Sequence, residues 1–213
     1  MNSQAITRFA VEGIIAAGKT SLAQALAHGL QAQVLSEDDL YNPFLEKFYA
    51  DRQRWALACQ LQFLDQRLRQ FSQGEDAPEI IVADHTIDKE MLYAQVNLDE
   101  QEFDLYQRMY QQLAVRCAFN PQLIIYLASD VEVILERIHS RGRHSENFID
   151  EAYLYRLRDI YHAWFTGPGG KGRRVVVVDS DATFISRDPQ AMSILVDACR
   201  AAPMGVSYCN PVA

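Results

Sequence analysis

The sequence predicts an α/β fold in which a parallel five-stranded sheet is flanked by helices. Short apolar runs that are rich in β-branched residues and do not alternate with polar ones are typical of strands buried on both faces. Five such runs occur, at Phe9–Val11, Val34–Leu35, Ile80–Ala83, Leu123–Leu127 and Val175–Val178. Longer stretches with helical spacing occur between and after them, at Thr20–Leu30, Arg54–Phe71, Leu98–Cys117, Val131–Arg141, Asp150–Phe165 and Pro189–Arg200. Strands that alternate with helices indicate parallel βαβ units, and without a convincing linker we expect one domain over residues 1–213.

The composition excludes several classes of protein. The 213 residues are 49% hydrophobic and 23% charged, which is ordinary for a globular domain. The net charge of −8 argues against a nucleic-acid polymer or a membrane as the partner, because anionic partners are bound chiefly through Lys and Arg. The chain has no apolar run of roughly 18 residues, and its first residues lack the pattern of a secretory signal. Four cysteines without a CxxC pair fit reduced thiols, so we expect a cytoplasmic protein.

A glycine-rich loop follows the first predicted strand. Residues 13–20 match GxxxxGK[ST], a motif in which backbone amides and the lysine contact phosphates and the hydroxyl ligates Mg²⁺. A glycine turn that merely caps a helix is the alternative, but the position between an apolar strand and an amphipathic helix favours phosphate binding in a sheet of the P-loop NTPase type. The candidate ATP-binding residues are Gly13, Ala16, Ala17, Gly18, Lys19, Thr20 and Ser21, and Thr20 is also a candidate magnesium ligand.

Carboxylates follow the second and third predicted strands. Glu37 comes just after the second strand and Asp84 directly after the third. The carboxyl ends of parallel strands face the crevice where ligands bind, so both side chains are candidates for chemistry on a nucleotide. Asp84 is placed to bind Mg²⁺ directly or through water. An alternative stays open for the segment around Glu37, because Ser36 and Asp39 have the spacing of a capping box that opens a helix.

Two further groups of polar residues lie on predicted helices. Gln60 and Arg67 are seven residues apart, so they share one helix face, and they gain from burial there only if they meet partners. A solvated arginine and a surface glutamine are the alternative. Arg137, Arg141 and Arg143 could simply finish a helix, since basic residues commonly do so. On an acidic chain they also form a local positive cluster suited to phosphate groups.

Together these motifs resemble the deoxynucleoside kinase family, whose members phosphorylate the 5′-hydroxyl of deoxynucleosides. The resemblance extends from Phe9 to about Ile185 and is greatest to bacterial members that act on deoxyadenosine, deoxyguanosine or deoxycytidine. It implies Mg²⁺ with ATP as the phosphate donor and a helical lid over about residues 137–150. It also implies a homodimer that pairs long helices, for which Arg54–Phe71 and Leu98–Cys117 are candidates.

The resemblance assigns a role to each candidate site residue. Glu37 falls on the general base and Asp84 on the acid that serves the metal and the substrate. Tyr49 and Glu146 fall on the residues that hold the sugar 3′-hydroxyl. Gln60 and Arg67 fall on the residues that bind the nucleobase, and Arg137, Arg141 and Arg143 on the lid arginines that surround the donor phosphates, with Arg137 also counted as catalytic.

Two positions depart from the family pattern, and a third stays open. Ala16 stands where the loop usually has a glycine, and His85 replaces the arginine of the family's Glu-Arg or Asp-Arg pair. A neutral imidazole lacks the forked donors of a guanidinium, which weakens the assignment of a phosphate or base contact to His85. The family's acid that reads the base falls on either Asp88 or Glu90.

The sequence therefore predicts a deoxynucleoside 5′-kinase of nucleotide salvage, and the resemblance favours a purine deoxynucleoside as its substrate. A nucleoside monophosphate kinase shares the loop and an arginine lid. It needs more basic residues on the acceptor side, where Arg67 stands beside the uncharged Tyr49 and Gln60. A catalytically inactive nucleotide-binding subunit of the same fold is a second alternative, suggested by Ala16 and His85.

Overall fold

A parallel sheet is the framework of the computed structural model, which describes residues 6–37, 41–72, 80–115, 117–142, 146, 149–179 and 185–211. Within these ranges the strands are β1 (Arg8–Glu12), β2 (Gln33–Leu35), β3 (Ile81–Ala83), β4 (Leu123–Ala128), β5 (Arg174–Asp179) and β6 (Gly205–Cys209). The helices are α1 (Lys19–Leu30), α2 (Leu45–Ala50), α3 (Arg52–Phe71), α4 (Asp88–Asn97), α5 (Glu100–Ala114), α6 (Val131–Arg141), α7 (Glu151–Phe165) and α8 (Pro189–Ala201). The predicted α/β class is confirmed.

The sixth strand corrects the prediction of a five-stranded sheet. β6 pairs in parallel with β5, and Val206 lies opposite Val175. It is an edge strand whose Tyr208 is 73% exposed, so it is not covered on both faces. The sequence of this strand therefore contains no continuous apolar run, which is the signal that identified the other strands.

The strand order places the loop after β1 in a crevice. The order β2-β3-β1-β4-β5-β6 puts β1 between β3 and β4. Phe9 lies opposite Val82 on one side and Leu123 on the other. The chain leaves β1 for the β2–β3 side and later returns to β4 on the opposite side. Ligands bind at such a reversal in open α/β sheets, so the segments after β1, β2 and β3 meet where a site is expected.

The hydrophobic core covers both faces of the sheet. All residues from Leu123 to Leu127 are buried, and successive side chains of a strand point to opposite faces. Phe165 of α7 stacks on Tyr126 of β4 with ring centroids 5.3 Å apart. Each fully buried aliphatic side chain contributes about 1.5–3 kcal/mol, so the strands form a firm base for the site. Among the described helices, none is both long enough and apolar enough to cross a membrane.

Two helices that the sequence did not predict, α2 and α4, both contribute residues to the crevice beside the phosphate loop. The first turn of α4 buries charged residues, so its pattern lacks an apolar stripe. α5 is also shorter than the predicted stretch. It begins at Glu100 because the side chain of Asp99 accepts a hydrogen bond from the amide of Glu102 at 2.9 Å, which caps the helix there.

Candidate active site

The phosphate loop follows a backbone path that glycine permits. Gly13 has a φ of 156°, and a Cβ at that position would lie 3.0 Å from the Cβ of Ala17 and 3.1 Å from the carbonyl oxygen of Leu127. Gly18, just before α1, has a φ of 96°. Ala16 also lies in the left-handed region, with a φ of 60°, although a residue with a Cβ is disfavoured there. The loop therefore takes a glycine-type conformation at a position that holds an alanine.

Lys19 begins α1 and folds back over the loop. Its Nζ donates a hydrogen bond to the carbonyl oxygen of Ile14 at 2.9 Å. Burial, assisted by the charge of Lys89, lowers the pKa of Lys19 to about 8. Arg137 reaches the same loop from α6, where its Nη1 donates to the carbonyl oxygen of Ala17 at 3.5 Å. Two cationic side chains thus attach to the loop where a phosphate is expected.

Asp84 accepts hydrogen bonds from three segments at the end of β3. Its Oδ2 accepts from the hydroxyls of Thr20 at 2.6 Å and Ser36 at 3.2 Å. Its Oδ1 accepts from the amide of Glu37 at 2.8 Å and lies 2.9 Å from Nδ1 of His85. Burial alone raises the pKa of the Asp84 carboxyl, but hydrogen bonds from His85 and Thr20 outweigh it and lower the pKa to about 2. The ionised carboxylate therefore joins α1, the segment after β2 and the end of β3.

The capping-box alternative for the segment around Glu37 involves Ser36 and Asp39. The hydroxyl of Ser36 donates to Asp84, which binds this segment to the end of β3. Asp39 lies outside the described residues. The observed contact of Ser36 thus favours a role in the site.

Glu37 carries a carboxylate held by two cations. Nη2 of Arg67 donates to its Oε1, and Nζ of Lys89 donates to its Oε2. Burial raises the pKa of Glu37, but the charges of Lys89 and Arg67 outweigh burial and hold the pKa well below its usual value. The side chain is still 25% exposed. Glu37 is therefore an ionised group that a ligand in the crevice can reach.

Arg67 is buried in α3 and joins three helices. Besides its bond to the carboxylate just described, its Nη1 forms an ion pair with Glu90 of α4. Glu90 also accepts a hydrogen bond from the hydroxyl of Tyr106 on α5 at 2.7 Å. Asp88 instead pairs with Arg173. Of the two acids that the sequence left open, Glu90 is the one beside the predicted base-binding arginine.

The predicted lid contributes an ion pair at the end of α6. Nε of Arg141 donates to Oε2 of Glu146 at 3.2 Å, and Nη2 donates to Oε1. Gly142 ends α6 with a φ of 62°, and its amide donates to the carbonyl oxygen of Ile138 at 3.1 Å. Arg143, the third predicted lid arginine, lies outside the described residues.

A cavity of about 230 Å³ joins the phosphate loop to α2, α3 and α4. The predicted site residues that line it are Ala16, Lys19, Thr20, Glu37, Tyr49, Gln60, Arg67, Arg141 and Glu146. Gln60 is buried, and its Nε2 has no hydrogen-bond partner among the residues described. Burial raises the pKa of Tyr49, so its hydroxyl keeps its proton. The predicted residues of the described chain that stand outside this lining are Gly13, Ala17, Gly18, Ser21, Asp84 and Arg137.

Several residues of the cavity wall were missed by the sequence reasoning. Lys89, Tyr93 and Asn97 come from α4, and Tyr153 comes from α7. Glu12, at the end of β1, is fully buried beside the loop and was missed as well. A lysine among charged residues ordinarily indicates a solvated face, so only the placement of α4 identifies Lys89.

Comparison with known proteins decides the family. The family model for deoxynucleoside kinase matches residues 9–200. The chain belongs to the deoxynucleoside kinase family. It is 31% identical over 156 residues to the deoxyguanosine kinase of Bacillus subtilis (strain 168), an alignment that covers 71% of this chain and 75% of that protein. It is 32% identical over 161 residues to the deoxyadenosine kinase of Dictyostelium discoideum, covering 73% of this chain and 65% of that protein.

A solved deoxynucleoside kinase structure has the same fold. The deoxyadenosine kinase from M. mycoides, with products dCMP and a flexible dCDP bound, gives a TM-score of 0.79 over 89% of this chain and 99% of that chain. The sequence identity is 23%, so this likeness concerns the fold. The family match and the relatives above identify this chain as a deoxynucleoside kinase, an ATP-dependent phosphotransferase of nucleoside salvage.

Proposed function

We propose that this kinase transfers the γ-phosphate of ATP to the 5′-hydroxyl of a purine deoxynucleoside bound in the 230 Å³ cavity. The observation that carries the proposal is the position of Glu37. Its carboxylate shares the cavity with Lys19 of the phosphate loop and with Gln60 and Arg67 of α3. A reacting hydroxyl between a phosphate-binding lysine and a base-binding helix face therefore meets an ionised carboxylate.

Glu37 acts in this proposal as the general base. An ionised carboxylate within reach of the 5′-hydroxyl accepts its proton as that oxygen attacks the γ-phosphate. Tyr49 and Glu146 hold the 3′-hydroxyl, because a protonated phenol donates a hydrogen bond and a carboxylate accepts one. Both side chains line the cavity, which supports their assignment.

The donor phosphates are held by the loop and by the lid arginines. Lys19 contributes a point charge, and Arg137 already reaches the loop carbonyl of Ala17. Guanidinium groups keep their charge and present forked donors, so Arg137, Arg141 and Arg143 stabilise the charge of the transferring phosphoryl group. We infer that Arg141 exchanges its ion pair with Glu146 for contacts to phosphate when ATP is bound.

The oxygens of Thr20 and Asp84 fit a magnesium ion that accompanies ATP. The hydroxyl and the carboxylate are 2.6 Å apart at the end of the phosphate loop. Mg²⁺ is usually held by one or two protein oxygens together with substrate phosphates, and no cluster of three His, Cys, Asp or Glu able to hold a metal occurs among the described residues. When bound, the ion neutralises charge on the donor phosphates.

The base preference is supported by the side chains of α3 and by the relatives. The amide of Gln60 offers a donor and an acceptor, the combination that pairs with the amino group and a ring nitrogen of adenine, and equally with those of cytosine. The donor Nε2 has no partner among the described residues, so a ligand can use it. The deoxyguanosine kinase and the deoxyadenosine kinase named above favour a purine. A third relative is a deoxyadenosine/deoxycytidine kinase and the neighbouring structure holds dCMP, so deoxycytidine is the competing substrate to compare.

The acceptor side of the cavity disfavours a nucleoside monophosphate kinase. Such an enzyme must bind the phosphate of its acceptor through additional cations. Arg67 and Lys89 are the cations beside Glu37, and they are paired with the carboxylates of Glu90 and Glu37. An uncharged nucleoside therefore suits this side better than a nucleoside monophosphate.

The homodimer stays a prediction. Leu105 and Met109 lie one turn apart on α5 and are 42% and 36% exposed, so this helix offers an apolar surface. Light scattering of the purified protein at micromolar concentration measures its mass, and a monomeric mass contradicts the prediction.

A phosphorylation assay with Mg-ATP across the four deoxynucleosides, their ribonucleosides and dAMP tests the proposed function. We expect the highest kcat/KM with a purine deoxynucleoside, at least about tenfold above thymidine, because Gln60 pairs with adenine-type edges. Preference for dAMP over deoxyadenosine indicates a monophosphate kinase. ATP binding without product from any acceptor indicates an inactive subunit, and a preference for deoxycytidine contradicts the purine assignment.

A further inference from the structure

Lys89 is a buried lysine that the roles given above do not use. It lies in the first turn of α4 and is 5% exposed. Its Nζ donates to Oε2 of Glu37 and lies 5.2 Å from the ring centroid of Tyr93. Lysine is almost never buried unless it is paired. The contact with Glu37 is therefore what stabilises Lys89 inside the cavity wall.

Lys89 and Arg67 hold Glu37 in different ways. Arg67 occupies Oε1 and is fixed on its other side by Glu90, so its planar guanidinium is locked between two carboxylates. Lys89 occupies Oε2 with an ammonium group on a flexible stem, and this group has three donors. One of these donors fixes Oε2 of Glu37, while Arg67 fixes Oε1, so the two cations together set the orientation of the carboxylate.

His85 is packed inside the protein beside Asp84 and Phe71. Its ring is fully buried, its Nδ1 lies 2.9 Å from Oδ1 of Asp84, and it stacks on Phe71 with centroids 4.9 Å apart. Packed between these groups, the imidazole supplies no forked donor to the crevice. Lys89, four residues further along the chain, brings a positive charge to Glu37.

We propose that Lys89 is a positioning residue of the phosphoryl transfer, which fixes Oε2 of Glu37 so that the carboxylate faces the acceptor hydroxyl. The inference rests on the proposed role of Glu37 as general base. In the step, the acceptor oxygen forms a bond to the γ-phosphorus and its proton passes to Glu37. The bond between the γ-phosphorus and the β,γ-bridging oxygen breaks, and ADP leaves with that electron pair. Lys89 orients the base and balances its charge until the proton has been transferred.

The test compares Lys89→Met with Lys89→Arg and with the control Lys171→Met. Lys171 is exposed in the glycine-rich segment before β5, so its removal leaves turnover unchanged. We expect Lys89→Met to lower kcat by about 100-fold, since small misplacements of a catalytic group have effects of that order. KM for ATP and for the deoxynucleoside should change by less than about threefold, and Lys89→Arg should restore kcat to within about tenfold of the wild type.

A double variant keeps the test decisive if Lys89→Met alone does not fold. In Glu37→Gln/Lys89→Met the remaining Arg67 and Glu90 balance each other's charge, so the fold is retained. If Lys89 acts through Glu37, this variant has a kcat within about threefold of Glu37→Gln, because the two effects are not additive.

Three results overturn the inference: a kcat of Lys89→Met within about threefold of the wild type, no recovery in Lys89→Arg, or a double variant much slower than Glu37→Gln. Each of them requires that the wild-type protein turns over a deoxynucleoside with Mg-ATP. A wild-type protein that fails to do so contradicts the proposed function instead, so the two failures are distinguishable.

Discussion

Ala16 holds a left-handed backbone conformation inside the phosphate loop, with a φ of 60°. A Cβ in that region costs about 1–2 kcal/mol, and glycine avoids this cost. Ala16→Gly should therefore raise the free energy of unfolding by about 1 kcal/mol, measured by urea denaturation. Ala17→Gly is the matched control, because Ala17 has an ordinary negative φ, and it should lower stability. A lower free energy of unfolding in Ala16→Gly contradicts the claim that the backbone of Ala16 is strained.

Glu12 gives a second prediction, which concerns pH. It ends β1, is fully buried, and accepts hydrogen bonds from the amide and the hydroxyl of Thr86 at 2.6 and 2.8 Å. Burial raises its pKa from 4.5 to about 7, although the charges of Lys89 and Lys19 oppose the shift. An acid whose pKa is higher in the folded state than in the unfolded state stabilises the fold fully at a pH below its unfolded-state pKa. This stabilisation is lost as the pH rises through its folded-state pKa.

Glu12→Gln removes this titration while keeping an acceptor for Thr86. The free energy of unfolding of the wild type should fall relative to that of Glu12→Gln by up to about 3 kcal/mol between about pH 4 and pH 8. Urea denaturation across this range measures the difference, with the exposed Glu136→Gln as control. A difference that does not change with pH shows that Glu12 titrates normally.

The role of a residue could be predicted from the sequence where the residue belongs to a motif with one characteristic chemistry. Lys19 and Asp84 stand at positions that a phosphate loop and a strand end define, and in the structure Lys19 contacts the loop and Asp84 contacts Thr20. Lys89 could not be found in this way. Its partner Glu37 is 52 residues away, and their contact depends on how α4 enters the crevice.

At the scale of elements, the site depends on the packing of α3, α4 and α5. Arg67, Glu90 and Tyr106 come from these three helices and form one buried chain of polar contacts. Removing a donor from a buried carboxylate costs about 1–3 kcal/mol. Tyr106→Phe should therefore lower the free energy of unfolding by that amount, as measured by urea denaturation.

Tyr110→Phe is the matched control for this prediction. Tyr110 lies one turn further on α5, and its hydroxyl donates to the carbonyl oxygen of Ile87 at 3.4 Å, a longer contact to an uncharged group. Tyr110→Phe should therefore lower the free energy of unfolding by less than half as much as Tyr106→Phe does. Equal losses in the two variants mean that the bond to Glu90 does not stabilise the helix packing.

A helix or a strand could be predicted from the sequence where its burial produces a regular pattern of apolar residues. β4 and β5 are almost wholly buried and appear in the sequence as apolar runs. β6 lies at the edge of the sheet and α4 buries charged groups in its first turn, so neither has the pattern of a typical strand or helix. The polar contacts that hold α4 are long-range, and a local window of sequence does not contain them.

At the scale of the whole molecule, the net charge of −8 hides an uneven distribution. Lys19, Arg67, Lys89 and Arg141 all line one cavity, together with the acids Glu37 and Glu146. These four cations outnumber the two acids, so positive charge predominates in the lining, whereas the rest of the chain is negatively charged and unsuited to a polyanion. A single triphosphate can still be bound, because its phosphates replace the acids as partners of these cations inside the cavity.

Turnover of Glu37→Gln tests most directly whether this cavity performs phosphoryl transfer. The amide keeps the shape of the side chain but cannot accept the proton of the acceptor hydroxyl. We expect kcat with Mg-ATP and a purine deoxynucleoside to fall by about 100-fold or more, while the Kd of the deoxynucleoside changes by less than about threefold. A kcat equal to that of the wild type contradicts the assignment of Glu37 as the base and removes the chemistry from this cavity.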